Sequence, residues 1–322
     1  MKKILITGSA GFIGYNFSKY LLNNSNHKII GFDNLNNYYS VKIKKNRLKE
    51  LNKYKNFKFF KIDLKDNKKV TKLFNKQIDA VYHLAAQAGV RYSLKNPRVY
   101  LDSNVQGFFN LIENIKIKNI KKFFYASSSS VYGDSKKFPL TEVDPINPKN
   151  FYGLSKKNNE EMVDIYFKDS KTKCIGFRFF TVFGEFGRPD MLIYQYLESI
   201  FNTKKIFYLN NYGNHTRDFT YINDVCEIMF KLLNKKIFKA HQVFNICSNK
   251  PIKITSIMKF INANFFIKPK IKKREFQLAD VKKTHGQNKK INLYVGKRKF
   301  YNIRDALRNT CQWYKNNWKL YS

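Results

Sequence analysis

Apolar residues recur along this chain in short runs that close on glycine or a carboxylate, separated by longer stretches of helical period. Lys3 to Ile6 is such a run, followed by Gly8-Ser9-Ala10-Gly11-Phe12-Ile13-Gly14 and then a helical pattern through Leu21 and Leu22. Lys28 to Phe32 closes on Asp33, Phe57 to Ile62 on Asp63, Ala80 to Leu84 follows, and Lys122 to Ala126 runs into four serines. Strands alternating with helices predict βαβ crossovers, hence a parallel sheet covered on both faces. Glycine and proline gather over 184–189 and mark a boundary. Beyond it, Thr220 to Leu233 reads as a stretch returning to the sheet, with a helix from near Asn223, and Ile303 to Trp318 reads as a last helix. There is no internal repeat and no low-complexity linker.

The first turn carries chemistry. Gly8, Gly11 and Gly14, with Phe12 and Ile13 between them, lie between a strand and a helix, where backbone can approach a pyrophosphate and the helix N-terminus meets its charge. Asp33, at the end of the next strand, is placed to accept hydrogen bonds from ribose hydroxyls and to repel a 2′-phosphate, which favours NAD over NADP. The expected fold is therefore α/β, a Rossmann-type doubly wound parallel sheet with a smaller mixed α/β substrate-binding C-terminal domain. Residues 1–180, with 219–245 returning, form the NAD-binding domain; 181–218 and 246–322 form the other.

Further on stands Tyr152-Gly153-Leu154-Ser155-Lys156. Residues four apart share a helix face, so the Tyr152 hydroxyl and the Lys156 ammonium can reach one cofactor ribose. A neighbouring cation and the positive nicotinamide lower a tyrosine pKa toward a value useful for a general base. By itself Tyr-x-x-x-Lys is near chance in a chain with 21 Tyr. After a glycine-rich turn and the serine cluster it becomes specific.

With these motifs the sequence resembles the extended short-chain dehydrogenase/reductases, and among them the nucleotide-sugar epimerases. The matching stretches run nearly end to end: Thr7 to Gly14, Asp33 to Asn36, His83 to Ala86, Ser127 to Gly133, Tyr152 to Lys156 and Arg217 to Ile222. Tyr38-Tyr39, Ala88 to Ser93, Phe180 to Gly184 and Gly187 to Met191 are similar to UDP-glucuronate 4-epimerases in particular. The resemblance implies that Asp63 and Leu64 hold the adenine end of a tightly bound NAD, that Asn34 also contacts the cofactor, and that Leu84, Ala85 and Ala86 wall its nicotinamide half. It implies Ser128 as the catalytic hydroxyl beside Tyr152 and Lys156. Ser129, Ser130, Asn104, Thr181, Arg217 and Asp280 are implied in substrate contact, Arg217 at the uridine diphosphate. Arg188 is the expected cation for a uronate carboxylate. A homodimer through helices around Pro97 to Asn114 and Tyr152 to Phe167 is implied as well. Near Ala279-Asp280-Val281 and Thr284-His285-Gly286-Gln287 the chain departs from its relatives.

Blander readings stand beside these. Arg217 has an alternative as a partner of Asp218, Arg188 as a partner of Asp190, and the serines as turn caps. Position just beyond a sheet strand favours ligand contact for the serines.

The formal charge of +38, from 61 Lys and Arg against 23 Asp and Glu, raises the question of a polyanionic partner. The basic residues form no block, only ten are Arg, and Asn, Ile, Phe and Tyr are abundant too, which reads as compositional bias. A specific nucleic-acid partner is not expected; a field favouring an anionic small substrate is. No apolar stretch reaches the ~20 residues of a membrane span, and the N-terminus breaks too soon for a signal peptide, so a cytoplasmic protein without a membrane partner is expected. Cys174, Cys226, Cys247 and Cys311 lack metal or disulfide spacing. The five histidines lack ligand spacing also, so no metal is expected, and His83 reads as a packed strand-end residue.

These features point to reversible C4 epimerisation of a UDP-hexuronic acid, UDP-glucuronate to UDP-galacturonate, through a 4-keto sugar. Alternatives are another nucleotide-sugar 4-epimerase, acting on UDP-glucose, UDP-N-acetylglucosamine or its uronate, and a UDP-glucuronate decarboxylase or 4,6-dehydratase. Relatives of the last two carry acids where this chain has Ser128 to Ser130. A non-enzymatic NAD-binding protein with a polyanion-binding surface is the alternative from another class; intact Ser128, Tyr152 and Lys156 count against it.

Overall fold

A computed structural model describes residues 1–321. Its strands are β1 (Lys3–Thr7), β2 (Lys28–Asp33), β3 (Phe57–Lys61), β4 (Ala80–His83), β5 (Lys122–Ser128), β6 (Lys173–Phe179), β7 (Thr181–Phe183), β8 (Phe207–Asn210), β9 (Thr216–Tyr221), β10 (His241–Ile246), β11 (Pro251–Lys253) and β12 (Ile271–Arg274). Seven of them form one parallel sheet in the order β10-β6-β5-β4-β1-β2-β3. Ile4, Leu5, Ile6 and Thr7 are all buried, as a strand covered on both faces requires. The strand order reverses between β1 and β4, and Thr7 pairs in register with Phe32 on one side and His83 on the other. Doubly wound sheets bind ligands at that reversal, beyond the carboxyl ends of the strands.

One face of the sheet carries a row of rings. Tyr82 stacks on Phe124 at 4.3 Å between centroids and Phe124 on Phe177 at 6.0 Å, so β4, β5 and β6 share a continuous apolar surface. The helices Phe12–Asn24 and Ile222–Asn234 pack together on that side. His83 is buried with Nδ1 2.8 Å from the Thr7 hydroxyl, the strand-end packing expected of it.

The runs read from the sequence become strands, and β6 and β10 join them. The expected boundary at residue 219 falls inside β9, which pairs with β7 and β11 in a separate three-stranded sheet; the chain returns to the large sheet through the helix Ile222–Asn234 and β10. β8 and β12 form a two-stranded ribbon beside it. The four cysteines are buried and unpaired.

Candidate active site

The glycine turn is shaped by close contacts that only hydrogen allows. Gly8 has φ +69°, and a Cβ there would lie 2.6 Å from the Ala85 amide nitrogen; a Cβ on Gly14 would lie 2.1 Å from the Gly8 oxygen. The turn thus presses against both the β4 end and its own helix. Gly11 caps the helix Phe12–Asn24 without a side-chain hydrogen bond, which leaves the first-turn amides to face a ligand. Phe12 and Ile13 line the same cavity.

Around this turn the cavity collects Asp33, Asn34, Asp63 and Leu64 on one side and Leu84, Ala85 and Ala86 on the other. The Asp33 Oδ1 accepts from the Leu35 amide at 2.8 Å; burial pushes its pKa up, opposed chiefly by the Lys44 ammonium. Asn34 donates to Asp63 Oδ2 at 3.0 Å, fixing the cavity edge. The residues present fit a dinucleotide: uncapped helix amides for a pyrophosphate, a buried carboxylate for ribose hydroxyls, and an apolar wall by Ala85 and Ala86.

Tyr152 and Lys156 lie one turn apart on the helix Phe151–Tyr166, whose start is capped by Asn150 accepting from the Gly153 amide at 2.8 Å. Both line the cavity, with Ser128 from the end of β5. Lys156 is buried, its Nζ donating to the Ala126 carbonyl at 2.8 Å, and desolvation draws its pKa down to about 8. Desolvation raises the Tyr152 pKa; the Arg188 guanidinium opposes this most, and a hydrogen bond with the Ser128 hydroxyl next. Among the charged groups, the Arg188 guanidinium lowers the Tyr152 pKa most; Lys156, one turn along the helix, is turned to the Ala126 carbonyl.

A second cavity adjoins the first, and Tyr38, Arg188 and Met191 line both. Thr181, Arg91, Arg217, His215 and Asp280 contribute to its wall. Arg188 does not present a free cation. It holds Asp190 through Nε at 2.9 Å and Nη2 at 2.5 Å, and Tyr38 donates to the same carboxylate at 3.0 Å. Arg217 turns inward, Nη2 donating to the Val281 carbonyl at 2.7 Å and Nη1 to those of Thr216 and Lys282 at 3.0 Å. Burial lowers its pKa to about 10. Asp280 pairs with Arg91, Nη2 to Oδ2 at 2.7 Å.

Three expected substrate contacts line neither cavity. Asn104 spends its amide on the loop after β4, accepting from the Gln87 N–H at 2.7 Å and donating to the Gln87 carbonyl and the Ser155 hydroxyl at 3.0 Å each. It ties that loop to the helix bearing Tyr152. Ser129 and Ser130 enter a 3₁₀ turn in which the Ser130 amide donates back to the Ser128 hydroxyl at 3.1 Å, and neither lines a cavity wall.

Lys44 and His215 line the cavities and were not singled out from the sequence, and Tyr38 and Arg91 lie in motif stretches to which the sequence assigned no role. Lys44 had a signal: on the helix Val41–Leu51 it shares the buried face of Ile43, Arg47, Leu48 and Leu51, an unusual place for two cations. Lys44 Nζ donates to the Asn36 carbonyl at 2.7 Å, and burial lowers its pKa to about 8. Arg47 donates to the carbonyls of Ala10 at 2.8 Å and Phe186 at 2.6 Å, stapling the glycine turn to the loop that carries Arg188. No cluster with the makings of a metal site, and no helix long and apolar enough to cross a membrane, is present among the described residues.

Known proteins are similar to this chain in sequence and fold. Residues 4–247 match the model of the NAD dependent epimerase/dehydratase family. A UDP-glucuronate 4-epimerase of Thermodesulfobacterium geofontis is 37% identical over 321 residues, covering 98% of this chain and 97% of its own. UDP-glucuronate 4-epimerase 2 of Arabidopsis thaliana is 34% identical over 335 residues, 98% of this chain and 76% of its own. The crystal structure of UDP-glucuronic acid 4-epimerase from Bacillus cereus, in complex with UDP-glucuronic acid and NAD, superposes with a TM-score of 0.91 at 29% identity, covering 98% of this chain and 99% of that one. On its sequence and on the fold that places these residues, the chain belongs to the NAD dependent epimerase/dehydratase family.

Proposed function

We propose that this chain is a nucleotide-sugar 4-epimerase that acts on a UDP-hexuronic acid, interconverting UDP-glucuronate and UDP-galacturonate through a 4-keto sugar. The observation that carries the reading is that Tyr152 and Ser128 line the cavity whose residues fit a dinucleotide, and that Arg188 joins this cavity to a second one walled by Arg91 and Arg217. The relatives named above support the uronate among nucleotide sugars.

NAD, when bound, supplies the acceptor and later the donor of the C4 hydride. The Tyr152 phenolate takes the proton of the sugar 4-hydroxyl, and the Ser128 hydroxyl positions that oxygen. Arg188 holds the phenolate charge during this step, and Lys156, anchored on the Ala126 carbonyl, reaches the cofactor ribose. After the keto sugar turns, Tyr152 returns the proton. No acidic side chain occupies Ser128 to Ser130 to drive loss of water or a further proton transfer, so reversal at C4 is the open exit.

The protein is further proposed to act as a homodimer. Leu101 and Phe109 on one helical segment and Leu154 and Ile165 on the helix Phe151–Tyr166 are exposed apolar residues on elements that pack together, a surface suited to a second copy.

The test is incubation of purified protein with UDP-glucuronate, without added NAD, followed by proton NMR of the sugar. UDP-galacturonate is the expected product. A UDP-pentose would assign decarboxylation instead, and unchanged substrate would reject the function.

A further inference from the structure

One ring nitrogen of His215 is left without a partner in a cavity where Arg91, Arg188, Arg217 and Asp280 are all engaged. The residue is 5% exposed and lines the second cavity, yet its Nε2 is buried and makes no hydrogen bond. Its nearest acceptor, Asp280 Oδ2, stands 4.0 Å away, beyond hydrogen-bond reach. That carboxylate is turned toward Arg91 instead, with Oδ2 at 2.7 Å from Nη2 and Oδ1 at 3.3 Å from Nε. Arg91 is half exposed at the cavity mouth, and the Asn210 amide, turned oxygen-inward, accepts from both its Nη atoms at 2.7 Å. Behind the imidazole lies the Phe276 ring at 6.1 Å.

The charged groups facing the imidazole are Arg217 from β9, which begins just after it, Arg91 from the loop after β4, and Asp280 from the segment after β12. Two cations against one carboxylate leave a net positive surround. Together with desolvation they keep the ring neutral, with its pKa drawn down to about 4 despite the Asp280 charge and a hydrogen bond to the Asn210 backbone. A diphosphate entering this cavity reverses the sign. A half-exposed arginine suits a diphosphate bidentately, so such a ligand competes with Asp280 for Arg91.

We propose that His215 is the proton-coupled member of the nucleotide site: when a nucleoside diphosphate takes Arg91, the released Asp280 carboxylate closes on Nε2 and the imidazole takes up a proton from solvent. The ligand thus completes a buried ion pair that is missing in the free protein. This rests on the reading of the second cavity as the nucleotide-sugar site. The linkage has a definite sign. Between the free and bound pKa values of His215 the complex carries one more proton than its parts, so affinity rises as pH falls through that window.

The test is isothermal titration of the NAD-loaded protein with UDP-glucuronate at pH 5.5, in buffers of different ionisation enthalpy. Tyr152→Phe is the background, so that turnover does not contribute heat. The phosphate and carboxylate groups of this probe do not titrate near that pH, so any proton taken up on binding is bound by the protein. About one proton should be taken up, and Kd should tighten by up to about tenfold per pH unit from pH 7 toward pH 5. His215→Gln should bind with no uptake and a flat pH profile, and His215→Asn serves if the glutamine variant fails to retain NAD. Binding without uptake, or uptake that persists without the histidine, overturns the proposal and leaves the nucleotide-sugar site standing. No binding of UDP-glucuronate at any pH overturns both.

Discussion

Burial in the cleft works against Tyr152 as a base, because it favours the neutral phenol; Arg188 and Ser128 work the other way. Tyr152→Phe should lose about 10²- to 10⁴-fold in kcat, the usual worth of a positioned general base, while UDP-glucuronate affinity stays within a few-fold. Steady-state kinetics beside equilibrium binding separates the two; activity near that of the parent would remove Tyr152 from the chemistry. Arg188→Leu is expected to raise the Tyr152 pKa. The base must be deprotonated to act, so the rising limb of the kcat/KM profile should move to higher pH. A Lys156→Met variant, whose ammonium rests on a carbonyl, should instead release NAD more readily. A profile that moves in Lys156→Met and not in Arg188→Leu would reverse the two roles. Because Arg188 is already held by Asp190, it is better suited to this electrostatic duty than to gripping a substrate carboxylate. Asp190→Asn should therefore make Arg188 a stronger cation toward Tyr152 and move the limb the opposite way, to lower pH.

Elements bring these residues together by short-range means that a sequence displays and by long-range ones that it does not. The glycine turn, Asp33 and Asp63 follow their strands directly, so pattern and position reveal them. Tyr152 and Lys156 are one helical turn apart, which spacing also reveals. Arg91 with Asp280 and Tyr38 with Asp190 are separated by 189 and 152 positions, and nothing local announces such pairs. Ser129, Ser130 and Asn104 line neither cavity, because a motif match places a backbone and leaves side-chain direction undecided. Arg47 shows how an element can serve the site from outside it. Arg47→Met would leave the Ala10 and Phe186 carbonyls short of a donor in a buried region, at about 1–3 kcal/mol for each unsatisfied group. Thermal unfolding should record that loss, and NAD retention should fall with it because the glycine turn loses its staple. Unchanged retention would place the turn's rigidity elsewhere.

At the scale of the whole molecule, a charge of +38 attracts an anionic nucleotide sugar before any contact is made. For UDP-glucuronate, kcat/KM should fall several-fold as monovalent salt rises from about 0.02 to about 0.5 M, with kcat little changed, because screening shortens the field's reach. A salt-independent kcat/KM would mean that the lysines serve solubility alone. Phe109→Glu together with Leu154→Glu should shift the protein to monomer in light scattering if these helices pair two copies. The central claim is that one site removes and returns hydrogen at C4. Its most direct measurement uses UDP-glucuronate deuterated at C4, with no added cofactor, and mass and NMR analysis of the product. The account predicts UDP-galacturonate that keeps deuterium at C4; deuterium lost to water, or recovered in a decarboxylated sugar, would contradict it.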